Sequence, residues 1–235
     1  MKVYYDFHIH SCLSPCGDEA MTPNNIVNMS LLKGLNVIAV TDHNTMKNCP
    51  SVLTVAKEAG LLVIPGIEIQ TREDVHIVAL FPTLSAAESL EYILDEHRLM
   101  LPNKPEKFGH QLILDTQDEV IEEYKITLMA SVDIGIDQLI KKIVDLGGVV
   151  FPAHINKQAN SVLANLGFMP KDWQIGAVEV FKASENQAVV DAYKDQYKIL
   201  RNSDAHYLHD ISEAENYIDI PTLTIEEVIK YLREF

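Results

Sequence analysis

Nine histidines are spread along this 235-residue chain, and most of those placed for chemistry directly follow an apolar run. His8 and His10 close VYYDFHIH, His43 closes VIAVTDH, His154 closes VVFPAH and His206 closes ILRNSDAH. Glu68 ends LLVIPGIE, and Asp204 stands two residues before His206. Neutral imidazoles and carboxylates suit zinc, manganese or iron. Two histidines at i and i+2 on a strand share a face, so His8 and His10 can grip one ion. A carboxylate such as Glu68 can bridge two ions. Each piece alone has a plain structural explanation: His-x-His arises by composition, SDAH can form an Asx-type turn, and GIE can simply end a strand. Five separate strand ends carrying His, Asp or Glu are harder to explain that way, because buried charge is costly unless paired or metal-bound.

Such residues meet only if strand ends converge on one rim, as they do in parallel α/β sheets. The chain reads that way. MKVYYDF, NVIAV, LLVIPGIEI, VHIVALF, VVFPAH, AVEVF, KILRNSDAH and YIDI read as strands. Helices fall between them: TPNNIVNMSLLKG with Thr22 as cap, a stretch from Thr45 to Ala59, and SAAESLEYILDEHRLM with Ser85 and Glu88 at capping-box spacing. IDQLIKKIVDLGG, the stretch from Ala159 to Leu166, NQAVVDAYKDQ and a closing helix capped by Thr224 follow. Residues 102–132 fit neither pattern well and read as a hairpin or an inserted segment. The repeated strand–helix alternation predicts one α/β domain over residues 1–235 with a mainly parallel sheet, open or closed.

Composition narrows the function classes. A net charge of −15 repels nucleic-acid backbones and anionic membranes at long range. It disfavours a long nucleic acid in an open basic groove, but not a phosphorylated group entering a pocket lined by cations. Three cysteines, Cys12, Cys16 and Cys49, do not look like a disulfide framework. The N-terminus lacks the apolar run of a signal peptide, and no stretch is long enough to span a membrane. The expectation is a soluble, cytoplasmic protein with no membrane partner.

HIH, TDH, GIE, VHIVAL, PAH and SDAH, in this order, resemble the PHP (polymerase and histidinol phosphatase) superfamily, closest to its stand-alone metal-dependent phosphoesterases. The resemblance runs from His8 to His206. It implies a distorted (β/α)7 barrel and two to three divalent ions (Mn, Zn or Fe). Carried over by position, one ion takes His8, His10, Glu68 and Asp204. A second shares Glu68 and adds His76 and His154. A third takes His43, His206 and an acidic residue after the first motif. Asp42 would orient a ligand or a water. The family's SDGxLTP appears here as the longer SPCGDEAMTP. Counting back from Thr22–Pro23 puts Asp18 in the ligand position; counting forward from HIHS reaches Pro15, with Cys16 as the thiolate rival. The reading favours Asp18.

The activity implied is phosphoester hydrolysis by a metal-activated hydroxide, with His43, His206 and Asp204 nearest the chemistry. Lys157, Arg72, Arg201 and His209 lie near strand ends or motifs, where they could meet the substrate. The substrate expected is a small phosphorylated molecule, a nucleotide-type phosphomonoester or a short RNA 5′ end. Two rivals stand beside this: an amidohydrolase-type C–N or C–O hydrolase using the same cluster, and a non-catalytic, metal-stabilised binding module.

Overall fold

The computed structural model describes residues 1–181 and 187–234. Its strands are β1 (Lys2–Ile9), β2 (Val37–Val40), β3 (Leu62–Val63), β4 (Gly66–Gln70), β5 (His76–Leu80), β6 (Leu112–Leu114), β7 (Val120–Glu123), β8 (Val149–Pro152), β9 (Ala177–Glu179), β10 (Lys198–Leu200) and β11 (Tyr217–Asp219). Its helices are α1 (Pro23–Leu32), α2 (Cys49–Ala59), α3 (Leu84–His97), α4 (Pro105–Phe108), α5 (Ile136–Asp145), α6 (Val162–Asn165), α7 (Gln187–Tyr193) and α8 (Ile225–Arg233). The expected helix NQAVVDAYKDQ begins at Asn186, outside the described residues.

Seven strands follow one another around a ring. β1 pairs with β2 in parallel, and a parallel bridge between His43 and Glu68 links the end of β2 to β4. β4 pairs with β5 and β5 with β8, both antiparallel. The Ile155 amide donates to the Glu179 carbonyl at 2.9 Å, joining β8 to β9. β9 pairs with β10 in parallel, and an Ala205–Ile9 bridge returns to β1. The ladders within this ring are interrupted, as a distorted barrel of α/β class requires. β11 hangs outside it, antiparallel to the start of β1.

The ring is mainly parallel as expected, with one exception: β5 runs against both its neighbours. LLVIPGIEI is also two strands rather than one, broken around Pro65, which cannot donate to a ladder. Helix α2 starts at Cys49, not near Thr45, and α3 is capped by the Thr83 side chain, which accepts from the Ala86 amide, not by Ser85. Thr22 and Thr224 cap α1 and α8 as expected.

Alternation sorts the side chains. Val3, Tyr5, Phe7, Ala39, Val78, Leu80, Phe151 and Ala177 fill the ring interior, closed at one end by Val228 and Leu232 of α8. Ile67, Ile69, Ile77, Ala79 and Val150 point outward against α3 and α5. Ile38 and Val40 meet α1 and α2. Each fully buried large side chain contributes roughly 1.5–3 kcal/mol, so the filled lower ring holds the strand ends rigidly at the other rim.

Residues 102–132 form an elaboration outside the ring: α4 and the antiparallel β6–β7 hairpin. It packs Ile113 and Leu128 on Leu13. Asn48 donates to the Leu112 carbonyl and accepts from the Leu114 amide. That use of its side chain explains why Asn48, at the N-cap of α2, makes no capping bond there.

Candidate metal centre

Alternation should point His8 away from the interior, since Phe7 points into it. The β1–β2 register shifts between Asp6 and Ile9, and a shift of this kind re-aims the side chains beyond it. Ile9 packs outside the ring with α1, while His8 and His10, both fully buried, turn into its mouth. Glu68 enters from β4 and His154 from the end of β8. His76 enters from the start of β5, because that strand runs the other way. Asp204 and His206 follow β10.

Hydrogen bonds fix which ring nitrogens carry protons. His8 Nδ1 donates to Glu179 Oε2 at 2.9 Å, so Nε2 is the nitrogen that faces the mouth. The Ser14 hydroxyl donates to Asp42 at 2.7 Å and so accepts from His10 Nδ1 at 2.9 Å, which frees His10 Nε2. These two nitrogens stand 3.2 Å apart. Asp204 Oδ1 is 3.2 Å from His10 Nε2 and 3.4 Å from His8 Nε2. Glu68 Oε1 is 3.3 Å from His8 Nε2, and Glu68 Oε2 is 3.5 Å from His10 Nε2. Two imidazoles and two carboxylates thus converge on one point.

A second convergence lies beside the first. Glu68 Oε1 accepts from His76 Nδ1 at 2.8 Å and lies 3.3 Å from His154 Nε2. Glu68 Oε2 is 2.8 Å from His43 Nδ1, yet the two do not meet in hydrogen-bond geometry. Among the described residues, buried side-chain atoms left without a hydrogen-bond partner include His43 Nδ1, Glu68 Oε2, His76 Nε2 and His154 Nδ1. Buried polar atoms are ordinarily satisfied. These orphans, with the converging ligand atoms, fit divalent cations. His10, His43 and His206 can also bring one nitrogen each within 4.8 Å of one another.

Electrostatics agree. Burial alone would raise the Glu68 and Asp204 carboxyls, but the imidazoles around them hold both well below the ordinary carboxylate range. Burial likewise works against charge on His8, yet Glu179, Glu68 and Asp204 outweigh it and hold the imidazole well above 6.5. His10, buried beside His206 and His43, is pushed well below. His154 and Asp204 take positive φ angles of 30° and 52°. Non-glycine residues at such angles store strain of order 1–3 kcal/mol each and cluster at functional sites.

The raised His8 value has a measurable sign. In the ion-free protein, protonated His8 stabilises the fold fully below 6.5, and that contribution is lost as pH rises through the raised value. Asp204 and Glu68 act oppositely: their contribution is present above the ordinary carboxylate range and lost on acidification. Zinc uptake at pH 7 should therefore expel a proton, with affinity rising as pH rises. Titration calorimetry in two buffers of different ionisation enthalpy would detect it; identical heats would refute it.

The other expected residues lie at varied distances. Lys157 makes a short ion pair with Asp204 Oδ2, and its ammonium sits 4.3 Å from the Phe181 ring centroid. Arg201 and His209 line a cleft of about 540 Å³ that opens beside Asp204. Arg72 is turned to Asp133, with Nε 2.7 Å from Oδ1. The Asp18 carboxylate accepts from the Ala20 amide at 2.9 Å. The side chain placed against His206 is Cys16, whose Sγ lies 3.0 Å from Nε2. Cys12 and Cys49 are buried, which pushes both thiols up to about 12.

Sequence reading missed Glu179. Buried in β9, it accepts from His8, from the His154 amide at 2.9 Å and from Asn202 at 2.7 Å. A glutamate inside the apolar run AVEVF was its signal. Asp42 accepts from the Ser11 amide, Ser11 Oγ and Ser14 Oγ, so it orients His10 through Ser14.

The sequence profile of the PHP domain matches residues 6–212. The chain belongs to the PHP domain family. That family is one of metal-dependent phosphoesterases and nucleases. A stretch of 118 residues is 33% identical to a 5′-3′ exoribonuclease of Haemophilus influenzae, covering 46% of this chain and 42% of that protein. The lesion-specific endonuclease Q of Pyrococcus furiosus has the same fold with TM-score 0.74 at 20% identity, over 99% of this chain and 56% of its own. An amidohydrolase of Chromobacterium violaceum follows with TM-score 0.60 at 19% identity, over 97% and 96% of the two chains. At these identities the structural likenesses are of fold. The match to the exoribonuclease spans less than half of that relative's length. Among the described residues, no helix is long and apolar enough to cross a membrane.

Proposed function

We propose that this PHP domain is a phosphoesterase acting on a nucleotide-type substrate: a small phosphorylated molecule or the 5′ end of a short RNA. The observation that carries this reading is the convergence of four metal-ligand groups, His8, His10, Glu68 and Asp204, beside a cleft. The name of the exoribonuclease relative favours a nucleotide-type substrate. The net charge of −15 favours a strand end over a long bound nucleic acid.

His8, His10, Glu68 and Asp204 would hold one ion, and Glu68, His76 and His154 a second, of manganese, zinc or iron. Bound there, such ions supply a water of lowered pKa and neutralise charge developing on the phosphoryl oxygens. The chain's own groups do the rest. Lys157, held by Asp204, presents its ammonium to a phosphate oxygen. Arg201 and His209 line the adjoining cleft, where the remainder of the substrate would lie. His43 and His206 are both held above the ordinary imidazole range against the pull of burial, His43 by Glu68 and Cys16, His206 chiefly by Cys16. Neither is assigned to these two ions, which leaves either one beside them as the proton donor to the leaving oxygen. Arg72 reaches substrate only by releasing Asp133.

The test is phosphate release from phosphomonoesters, nucleotides and 5′-phosphorylated oligoribonucleotides, using stripped protein titrated with manganese or zinc. Metal-dependent release from nucleotide-type substrates is expected. Amine release from amides in its place would favour the amidohydrolase chemistry, and neither product from ion-loaded protein would favour a binding module.

A further inference from the structure

We propose that Cys16 is a thiolate ligand and, with His43 and His206, forms a third cation site selective for a borderline-soft divalent ion such as zinc, cobalt or iron(II). The inference rests on the metal centre described above. It departs from the acidic residue that the loop's sequence suggested.

The geometry is specific. His206 Nδ1 donates to the Asp204 carbonyl at 2.8 Å, so its proton is on that nitrogen. Nε2 is therefore the nitrogen aimed at Cys16 Sγ, 3.0 Å away. His43 is 7% exposed; its Nδ1 faces Glu68 Oε2 at 2.8 Å, one of its ring nitrogens can come within 4.8 Å of one of His206, and its ring also meets the same thiol. The His10 ring lies between them, its centroid 4.3 Å from that of His206 and 4.5 Å from that of His43.

The chain holds Cys16 here through a tight loop. A Cβ on Gly17 would stand 2.3 Å from the Ser11 carbonyl oxygen, so only glycine allows the close approach. The next amide, of Asp18, donates to the His206 carbonyl at 2.9 Å. That bond ties the loop to His206 while the Asp18 carboxylate serves Ala20. A site of one sulfur and two imidazoles favours zinc, cobalt or iron(II), whereas oxygen ligands suit manganese or magnesium. On binding, the thiol proton passes to solvent and the sulfur lone pair takes the ion. His43 and His206 then act as ligands and no longer as proton donors.

Cobalt(II) tests this by spectroscopy. Cys12 and Cys49 are buried and Cys16 is exposed, so the fast-reacting thiol of the intact protein reports Cys16. Stripped full-length protein is titrated with cobalt while bound metal, the near-ultraviolet sulfur-to-cobalt charge-transfer band and the rate of thiol modification by a disulfide reagent are followed. The expected result is a charge-transfer band with protection of the fast thiol, the band being lost in Cys16→Ser. Cys16→Asp should bind the same number of ions without the band and shift preference from zinc towards manganese. Full cobalt binding in the wild type with no band and an unprotected thiol would overturn the proposal while leaving the phosphoesterase reading intact. No cobalt binding at all would overturn both.

Discussion

Asp204→Asn should fold like the wild type yet lose its ions and its phosphate release together. Asp204 has φ 52°, a left-handed conformation that asparagine tolerates nearly as well as aspartate, so this change isolates the charge. The carboxylate lies within 3.4 Å of both His8 and His10 Nε2, and its other oxygen holds Lys157. Without it, one ion loses a ligand and the ammonium loses its anchor. Loss of an outer partner alone typically costs up to about 100-fold, so activity should fall by more than that. Asp204→Ala should lose the same function and also melt lower, because alanine at this φ costs roughly 1–2 kcal/mol. Metal content by mass spectrometry, turnover and thermal melting of both variants make the comparison. An Asp204→Asn protein that retains ions and turnover would remove Asp204 from the site.

Glu179→Leu should be the most destabilising single change near the centre. Glu179 is 1% exposed and accepts from three buried donors: His8 Nδ1, the His154 amide and Asn202 Nδ2. Each buried donor left unsatisfied costs about 1–3 kcal/mol, so the loss is on the order of 3–6 kcal/mol even with some relaxation. That is a large part of the ~5–15 kcal/mol that holds a domain together. His8 would also lose the bond that fixes its tautomer, lowering metal affinity by ~10–100-fold in whatever protein still folds. Urea unfolding and zinc titration read the two effects separately. A wild-type unfolding midpoint would show that Glu179 does not anchor His8.

The strand ends were legible because each candidate ligand borders an apolar run that the ring must bury. Strand direction was not, since period-two alternation is the same read either way. His76 carried the clue: it precedes its run, whereas His8, His10, His43, His154 and His206 follow theirs. The break around Pro65 and the lost cap at Asn48 came from pairing and insertion contacts that local propensity does not contain. Glu179 stayed hidden because it stands in no motif and was read as part of an ordinary strand. That Cys16 and not Asp18 lies against His206 depends on a close approach at Gly17, which counting along SPCGDEAMTP could not reveal.

The reversed direction of β5 bears on how the centre assembles. Glu68 and His76 sit on one hairpin, eight residues apart, whereas His10 and Asp204 meet across 194 residues. Closing the longer loop costs ~3 kcal/mol more chain entropy, by the logarithmic dependence on loop length. The local pair can therefore form while the rest of the chain is still loose, and the distant pair only once the ring has closed. A nascent chain would meet its metals in sequence, the β4–β5 hairpin offering a half-site early and the His8–His10–Asp204 site last. The last site to form would then report that the whole circuit of strands has joined.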